Sequence, residues 1–365
     1  MPEATASGPI TICSAQAYAT NWEHLSDELR RLDQLIRLCL LRDRRGRPAD
    51  PPAILLDQFR GLVLSDEEIA GLLAETEGAR SGDELSSQDS QEQEALIQAL
   101  DQLDDDIDQR RAASGDAGAH LSLPFLSRLF HLTRFEERCV LICLAPELDR
   151  KYEKLYAYLQ DDVTRRKPSV DLALDLLCRT AGEKLAARAA FDPRATLLKC
   201  RLLQASDGSP EPAPLLQRSL KLDDRVVNFL LGFGQMDARL DPVARLVSPR
   251  AEMDSALIND GLRVRVNDFL QSHFGEPKRA GQNLIFYIYG PYGSGRRALA
   301  ESVSHDLGLP LIVGDVEKML GGALPFEETV QLLGREAVMQ PAALCLENMD
   351  CLIAEPDKHR ADLQS

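Results

Sequence analysis

The sequence predicts a mainly α chain that turns into an α/β arrangement near its C-terminal end. Three observations predict it. Apolar residues recur at three–four spacing through residues 22–41 and again through 123–191. A strand–turn–strand signal follows the second helical stretch. Beyond residue 283, short apolar runs alternate with amphipathic segments, the pattern of a parallel sheet with flanking helices.

Residues 1–76 read as a helical N-terminal region. Trp22, Leu25, Leu29, Leu32, Leu35, Ile36 and Cys39 line one face of a helix over 22–41. Arg45–Pro48 and Pro51-Pro52 break it. A second helical patch spans Ala53–Leu64. A third starts at Ser65, with Glu68 completing a capping box. Residues 77–118 read as an acidic linker, rich in Ser, Asp, Gln, Glu and Gly, with the run Asp104-Asp105-Asp106. Such a stretch has too little apolar surface to order itself. Leu96, Leu100, Leu103 and Ile107 nevertheless predict a short helix inside it.

Residues 119–247 read as a middle domain. Helices are predicted over Leu123–Leu132, Phe135–Leu144 (ended by Pro146), Lys151–Leu159, Val170–Leu177 and Gly182–Phe191. Leu197–Leu203 then reads as a strand, Asp207-Gly208 as a hairpin turn and Pro214–Leu220 as the return strand. Leu222–Leu231 closes the domain as a helix. Tyr152, Tyr156 and Tyr158 are expected to pack or cap its core.

Residues 248–365 carry the chemistry. Arg263–Phe274 is a lead-in helix. Leu284–Tyr289 is an apolar strand running into Gly290-Pro291-Tyr292-Gly293-Ser294-Gly295-Arg296-Arg297, and a helix follows from Ser294 to about Leu307. That is the strand–loop–helix setting of a phosphate-binding loop, with Gly290 and Gly295 at the required spacing. The glycines let backbone N–H groups converge on an anion at a helix start. The loop lysine is replaced by Arg296, a bulkier planar cation. The magnesium-binding hydroxyl is replaced by Arg297, which offers no oxygen. A second strand is expected over Leu309–Gly314, a helix over Phe326–Met339 and a third strand over Ala342–Leu346. The third strand ends in Glu347-Asn348, where an Asp-Glu pair would hold metal and activate water. Asn348 has no carboxylate to take a proton. Asp350 is two residues out of register and reads as solvating a helix start. Both motifs keep their apolar frame and lose their functional atoms. The loop is expected to keep a weak attraction for the phosphates of ATP, whereas magnesium and hydrolysis are not expected, and no residue is assigned a catalytic role.

These stretches carry a family resemblance. Phe125–Leu177, and within it Leu144–Pro168, together with Leu220–Gly232 and Gly290–Glu301, resemble the N-terminal part of a bacterial AAA+ ATPase that carries a winged-helix domain ahead of its ATPase modules. The likeness spans roughly residues 20 to 360. It implies a winged-helix domain over 119–247 and a partial, degenerate AAA+ P-loop domain over 248–365. In such proteins the first module has Arg-Arg in its loop and Glu-Asn in its second motif, and an intact module follows. The resemblance therefore implies that this chain is a fragment, that its partners are its own downstream ATPase module or other subunits and a protein client, and that hydrolysis belongs elsewhere. A non-hydrolysing ATP sensor is the alternative. A DNA-associated regulator is a third.

Composition narrows the partners. The 365 residues include 58 acidic and 42 basic side chains, a formal charge of −16. That balance disfavours non-specific contact with nucleic acid or an anionic membrane. The basic run Thr164–Lys167 follows Asp161-Asp162, and the helix after it carries no base, which argues against a DNA-reading helix. No stretch is apolar enough to span a membrane, and Met1–Ser14 is no secretory signal. The eight cysteines, at 13, 39, 139, 143, 178, 200, 345 and 351, lie mostly among aliphatic residues, as reduced thiols in a cytoplasm do. Cys139 and Cys143 are one helical turn apart, but no His lies on their face, which argues against zinc.

Overall fold

The apolar stripe over 22–41 folds as α1, Asn21–Arg44, and its buried Leu32 and Ile36 anchor the main core. This is seen in a computed structural model that describes residues 16–44, 88–206, 213–248, 260–274, 284–291 and 293–354. The helical patches expected at 53–64 and from Ser65, the Asp207-Gly208 turn and Tyr292 lie outside the described residues. The chain divides into two compact units, Met1–Gly232 and Phe233–Ser365.

In the first unit α1 is followed by α2 (Gln88–Asp116), α3 (Ser122–Phe130), α4 (Arg134–Leu148), α5 (Lys151–Leu159) and α6 (Val170–Leu177). The core joins α1, α4, α5 and α6 through Leu32, Ile36, Ile142, Ala145, Tyr152, Leu155, Tyr156, Leu172 and Leu176. Local sequence sets the helix starts. Thr133 and Glu136 form a capping box on α4, and the Ser169 hydroxyl accepts from the Leu172 N–H on α6.

Two expectations fail here for identifiable reasons. Pro146 does not end its helix, because α4 runs on to Leu148. Proline removes the N–H that would bond the carbonyl four residues back. That carbonyl, Ile142 O, instead accepts the Tyr156 hydroxyl at 2.8 Å. The acidic linker is not a solvated spacer along its whole length either, since α2 is a 29-residue helix. Its apolar contribution is small, as expected, with Leu100 and Ile107 buried. Charge holds it instead. Arg110 bonds Glu23 and Asp27, Arg111 bonds Glu137, and Asp104 meets Arg138 at 2.7 Å and Arg31 and Arg134 at 3.6 Å.

After α6 come α7 (Ala181–Ala187), a 3-10 turn at Arg188–Phe191, and α8 (Thr196–Lys199). The hairpin follows as β1 (Leu203–Ser206) and β2 (Ser219–Leu222), antiparallel, with Leu203 opposite Leu222 and Ser206 opposite Ser219. The expected strand Leu197–Leu203 is thus mostly a helical turn. Arg201, at φ 50°, leaves the helix through the left-handed region and turns the chain into β1. The return strand starts later than Pro214 because Leu215–Gln217 forms a 3-10 turn. Ser169 adds a bridge to Ser219, so the start of α6 extends the small sheet. The unit ends with α9 (Asp224–Leu230), capped by Asp223.

The second unit contains β3 (Ala244–Val247), α10 (Asp260–Phe274), α11 (Arg296–Asp306), β4 (Leu311–Asp315), α12 (Val316–Leu320), α13 (Phe326–Met339), β5 (Ala343–Glu347) and α14 (Cys351–Ala354). The sheet order is β3-β4-β5, with β3 antiparallel to β4 and β4 parallel to β5. Leu311–Gly314 is buried at every position, as a central strand requires. A Cβ on Gly314 would lie 3.1 Å from Leu333 and 3.2 Å from Leu346, so glycine permits the close approach of α13. The expected parallel sheet is only partly realised. Leu284–Tyr289 joins no ladder among the described residues, and Ile285, Tyr287 and Tyr289 are 89%, 70% and 79% exposed. An apolar run becomes a strand only where a neighbour takes its backbone N–H and C=O groups.

Candidate functional site

The glycine loop is a tight turn that feeds α11. A Cβ on Gly290 would meet Ser294 Oγ at 2.8 Å, so a side chain there requires the Ser294 hydroxyl to turn away. Gly293 and Gly295 have φ of 81° and 77°, a region where side chains are strained. The Ser294 N–H donates to Pro291 O, and the Leu299 N–H to Gly295 O as the first helical bond. Gly295 is the N-cap of α11 and brings no side chain to it. The helix therefore begins at Arg296, two residues later than the sequence suggests. Arg296 is half-buried and Arg297 exposed.

The ends of β4 and β5 supply two carboxylates. Asp315 and Glu347 are register partners on parallel strands. Arg297 Nε bonds Glu301 Oε1 at 2.7 Å, one turn along α11, and lies 3.6 Å from Glu347 Oε1. The bond to Glu301 pushes the Arg297 pKa up. Arg245 Nη2 reaches Glu347 Oε2 from β3 at 3.5 Å. Asn348 sits at φ 60° and its Nδ2 donates to Asp315 Oδ1 at 2.9 Å. Burial raises the Asp315 carboxyl, but the hydrogen bonds from Asn348 and Lys318 outweigh it and hold the pKa below the usual carboxylate value.

The two sequence motifs, fifty residues apart, thus meet through Arg297 and Glu347. Sequence reasoning missed Arg245, which lies in a stretch with no motif, and Asp315, which directly follows the strand expected over Leu309–Gly314. Asp350 is exposed and immediately precedes α14. Magnesium, which an intact phosphate-binding loop would hold, does not fit these side chains. The position of its hydroxyl ligand holds a guanidinium, and the nearby carboxylates face nitrogen donors.

The first unit offers a second surface. Arg165 pairs with Asp162 at 3.4 Å, so part of the basic run is cancelled. Arg166 and Lys167 are exposed, as are Arg188, Arg194 and Lys199 around α7 and α8. Among the described residues none of these five is paired with a carboxylate. Between residues 164 and 221 eleven Lys and Arg stand against six Asp and Glu, the reverse of the chain as a whole. The exposed bases after α6 are ones the sequence reading passed over.

Helices closed by a two-stranded hairpin, with Ser169 bridged to its second strand, define the winged-helix class. The family model described as winged helix domain, variant, matches residues 10–244. The chain belongs to that family. No curated protein and no solved structure matches the chain. The family match covers the winged-helix part of the resemblance and does not extend to an ATPase. Among the described residues no helix is long and apolar enough to cross a membrane.

Proposed function

We propose that this chain is the regulatory and scaffolding part of an AAA+-type ATPase, with a nucleotide site that does not hydrolyse ATP. One observation carries the reading: Arg297 of the glycine loop stands 3.6 Å from Glu347 at the end of β5. A loop built for phosphate and a strand end built for metal and water meet at one place, and a guanidinium fills the junction. Hydrolysis needs a bound metal and an oriented water. Asn348 cannot serve as a base, and it is engaged with Asp315. Turnover is assigned to a separate intact module, and the winged-helix unit to contact with that module, other subunits or a protein client. The test is phosphate release from ATP by the full chain with magnesium. None is expected. Magnesium-dependent release abolished by Arg296→Ala overturns the reading. Saturable binding of a fluorescent ATP analogue without release supports the sensor form of the same site.

A second reading has its own observation, the five uncancelled bases Arg166, Lys167, Arg188, Arg194 and Lys199. Exposed cations without carboxylate partners suit a phosphate backbone. Duplex DNA retarded by the full chain, with a sequence preference that survives moderate salt, supports it. Loss of all retardation at moderate salt leaves only charge attraction and counts against a DNA-associated regulator.

A further inference from the structure

We infer that Arg297, with Arg245, is the resident cation of the loop–strand junction, so that the site takes a nucleotide phosphate without a divalent metal and excludes the metal while these arginines are present. The inference deepens the nucleotide reading above and rests on it for the ligand, but not for the metal.

Register places Asp315 and Glu347 side by side at the ends of two parallel strands. Two adjacent carboxylates repel, and a cation between them is the usual relief. A divalent ion would need several oxygens at about 2.0–2.6 Å. Here every one of the four oxygens faces nitrogen instead. Glu347 Oε1 faces Arg297 Nε at 3.6 Å and Oε2 faces Arg245 Nη2 at 3.5 Å. Asp315 Oδ1 accepts from Asn348 Nδ2 at 2.9 Å, and Oδ2 faces Lys318 Nζ at 3.5 Å. These nitrogens come from β3, α11, the turn after β5 and α12. The three ion pairs are long and partly exposed, so none contributes much stability, whereas the Asn348 bond is of ordinary length. Their importance is positional: a guanidinium does not deprotonate, and two of them fix positive charge where the metal would stand. Arg297 also lies in the first turn of α11, directly after the glycine loop, where Glu301 bonds the same Nε at 2.7 Å. A phosphate arriving there meets a cation already in place.

The experiment uses the full chain with two probes, Mn²⁺ alone, followed by electron paramagnetic resonance, and a fluorescent ATP analogue in EDTA or in magnesium. Native protein is expected to take up no Mn²⁺ that Glu347→Gln removes, and to bind the analogue equally in both buffers. The double variant Arg245→Gln/Arg297→Ser is expected to gain a Mn²⁺ site that a third change, Glu347→Gln, abolishes. Arg245→Lys/Arg297→Lys, which keeps the charge, is expected to stay metal-free. Native Mn²⁺ uptake dependent on Glu347, analogue binding that requires magnesium, or a double variant still without Mn²⁺ overturns the inference. Analogue binding in neither buffer overturns the nucleotide reading, and the Mn²⁺ arm then decides the metal question by itself. Circular dichroism melts confirm that the variants fold.

Discussion

The Tyr156 hydroxyl donates to the Ile142 carbonyl, which is the carbonyl that Pro146 deprives of its helical partner. A proline inside α4 and a tyrosine on α5 therefore form one unit. Tyr156 is fully buried, and burial pushes its pKa well above the ordinary tyrosine value. Tyr156→Phe leaves a buried carbonyl without a donor, at a cost of about 1–3 kcal/mol. In a Pro146→Ala background the restored amide N–H supplies the bond, and the same Tyr156→Phe change is expected to cost clearly less. Urea unfolding of the four proteins of this cycle measures the coupling. A cycle that adds up with no coupling would show that the two residues act separately.

His24 is buried between α1 and its neighbours, with neither ring nitrogen within hydrogen-bond range of a partner. Glu28 Oε1 is 3.7 Å from Nε2, and the Tyr18 ring lies edge-on at 5.1 Å. Burial, then the charges of Arg111 and Arg31, lower its pKa to about 4, against an opposite pull from Glu137 and Asp27. The folded state thus binds this proton less readily than the unfolded chain. Its stabilising contribution is complete above about pH 6.5 and falls away toward pH 4, by roughly 3 kcal/mol at 1.4 kcal/mol per pKa unit. The check is chemical denaturation between pH 7 and pH 4.5. His24→Leu is expected to flatten the slope over that window. An unchanged slope would assign the acid sensitivity to the surrounding carboxylates.

How much of this was legible in the sequence depends on the range of the interactions. Lys151–Leu159, Val170–Leu177 and Phe326–Met339 read correctly to the residue because apolar spacing is a local signal, joined in the second by the Ser169 cap. The sequence shows only a short helix inside an acidic linker where α2 stands, because its stabilising partners, Glu23, Asp27, Arg31, Glu137 and Arg138, lie on α1 and α4. Leu284–Tyr289 has the composition of a strand, but composition does not supply a neighbouring strand. At the site, the motifs named Arg297 and Glu347. Only the antiparallel pairing of β3 with β4 brings Arg245 to them, and only the β4–β5 register makes Asp315 a neighbour of Glu347.

Because α2 is held largely by charge, salt is expected to loosen it before the rest of its unit. Raising ionic strength to 1 M shortens the screening length to about 3 Å and weakens the more exposed pairs, such as Arg134 with Asp108. The pair of Arg31 with Glu28 is buried and resists. Hydrogen exchange of the full chain reads this directly. Amides of α2 are expected to lose protection in salt while those of α4, α5 and α6 keep it. Asp104→Asn removes a carboxylate shared by Arg31, Arg134 and Arg138 and weakens docking by roughly 2 kcal/mol, as for hydrogen bonds to charged groups. If α2 and α4 lose protection together at the same salt, docking is not separable and the electrostatic account of α2 is wrong.

In the second unit the carboxylate of Asp237 is shared between two arginines. Arg335 Nη2 reaches it at 2.6 Å with both side chains buried, and the less buried Arg239 bonds both of its oxygens. Burial raises the Asp237 carboxyl, but the bonds from Arg239, with the charge of Arg335, outweigh it and hold the pKa below the usual value. Either arginine alone still compensates the charge, so Arg335→Met and Arg239→Gln are each expected to cost less than the 3–5 kcal/mol typical of breaking a buried pair. The double variant leaves a buried carboxylate without either guanidinium and is expected to cost more than the sum of the two. The pH dependence changes sign with it. A depressed folded-state pKa contributes stability above the unfolded value that is lost as pH falls through the folded one. With both arginines gone, burial raises the folded pKa above the unfolded value, so acidification should restore stability relative to neutral pH. Thermal melts at pH 7 and pH 5 on the native and double-variant chains test this, and a double variant that is less stable at pH 5 than at pH 7 by the native margin contradicts it.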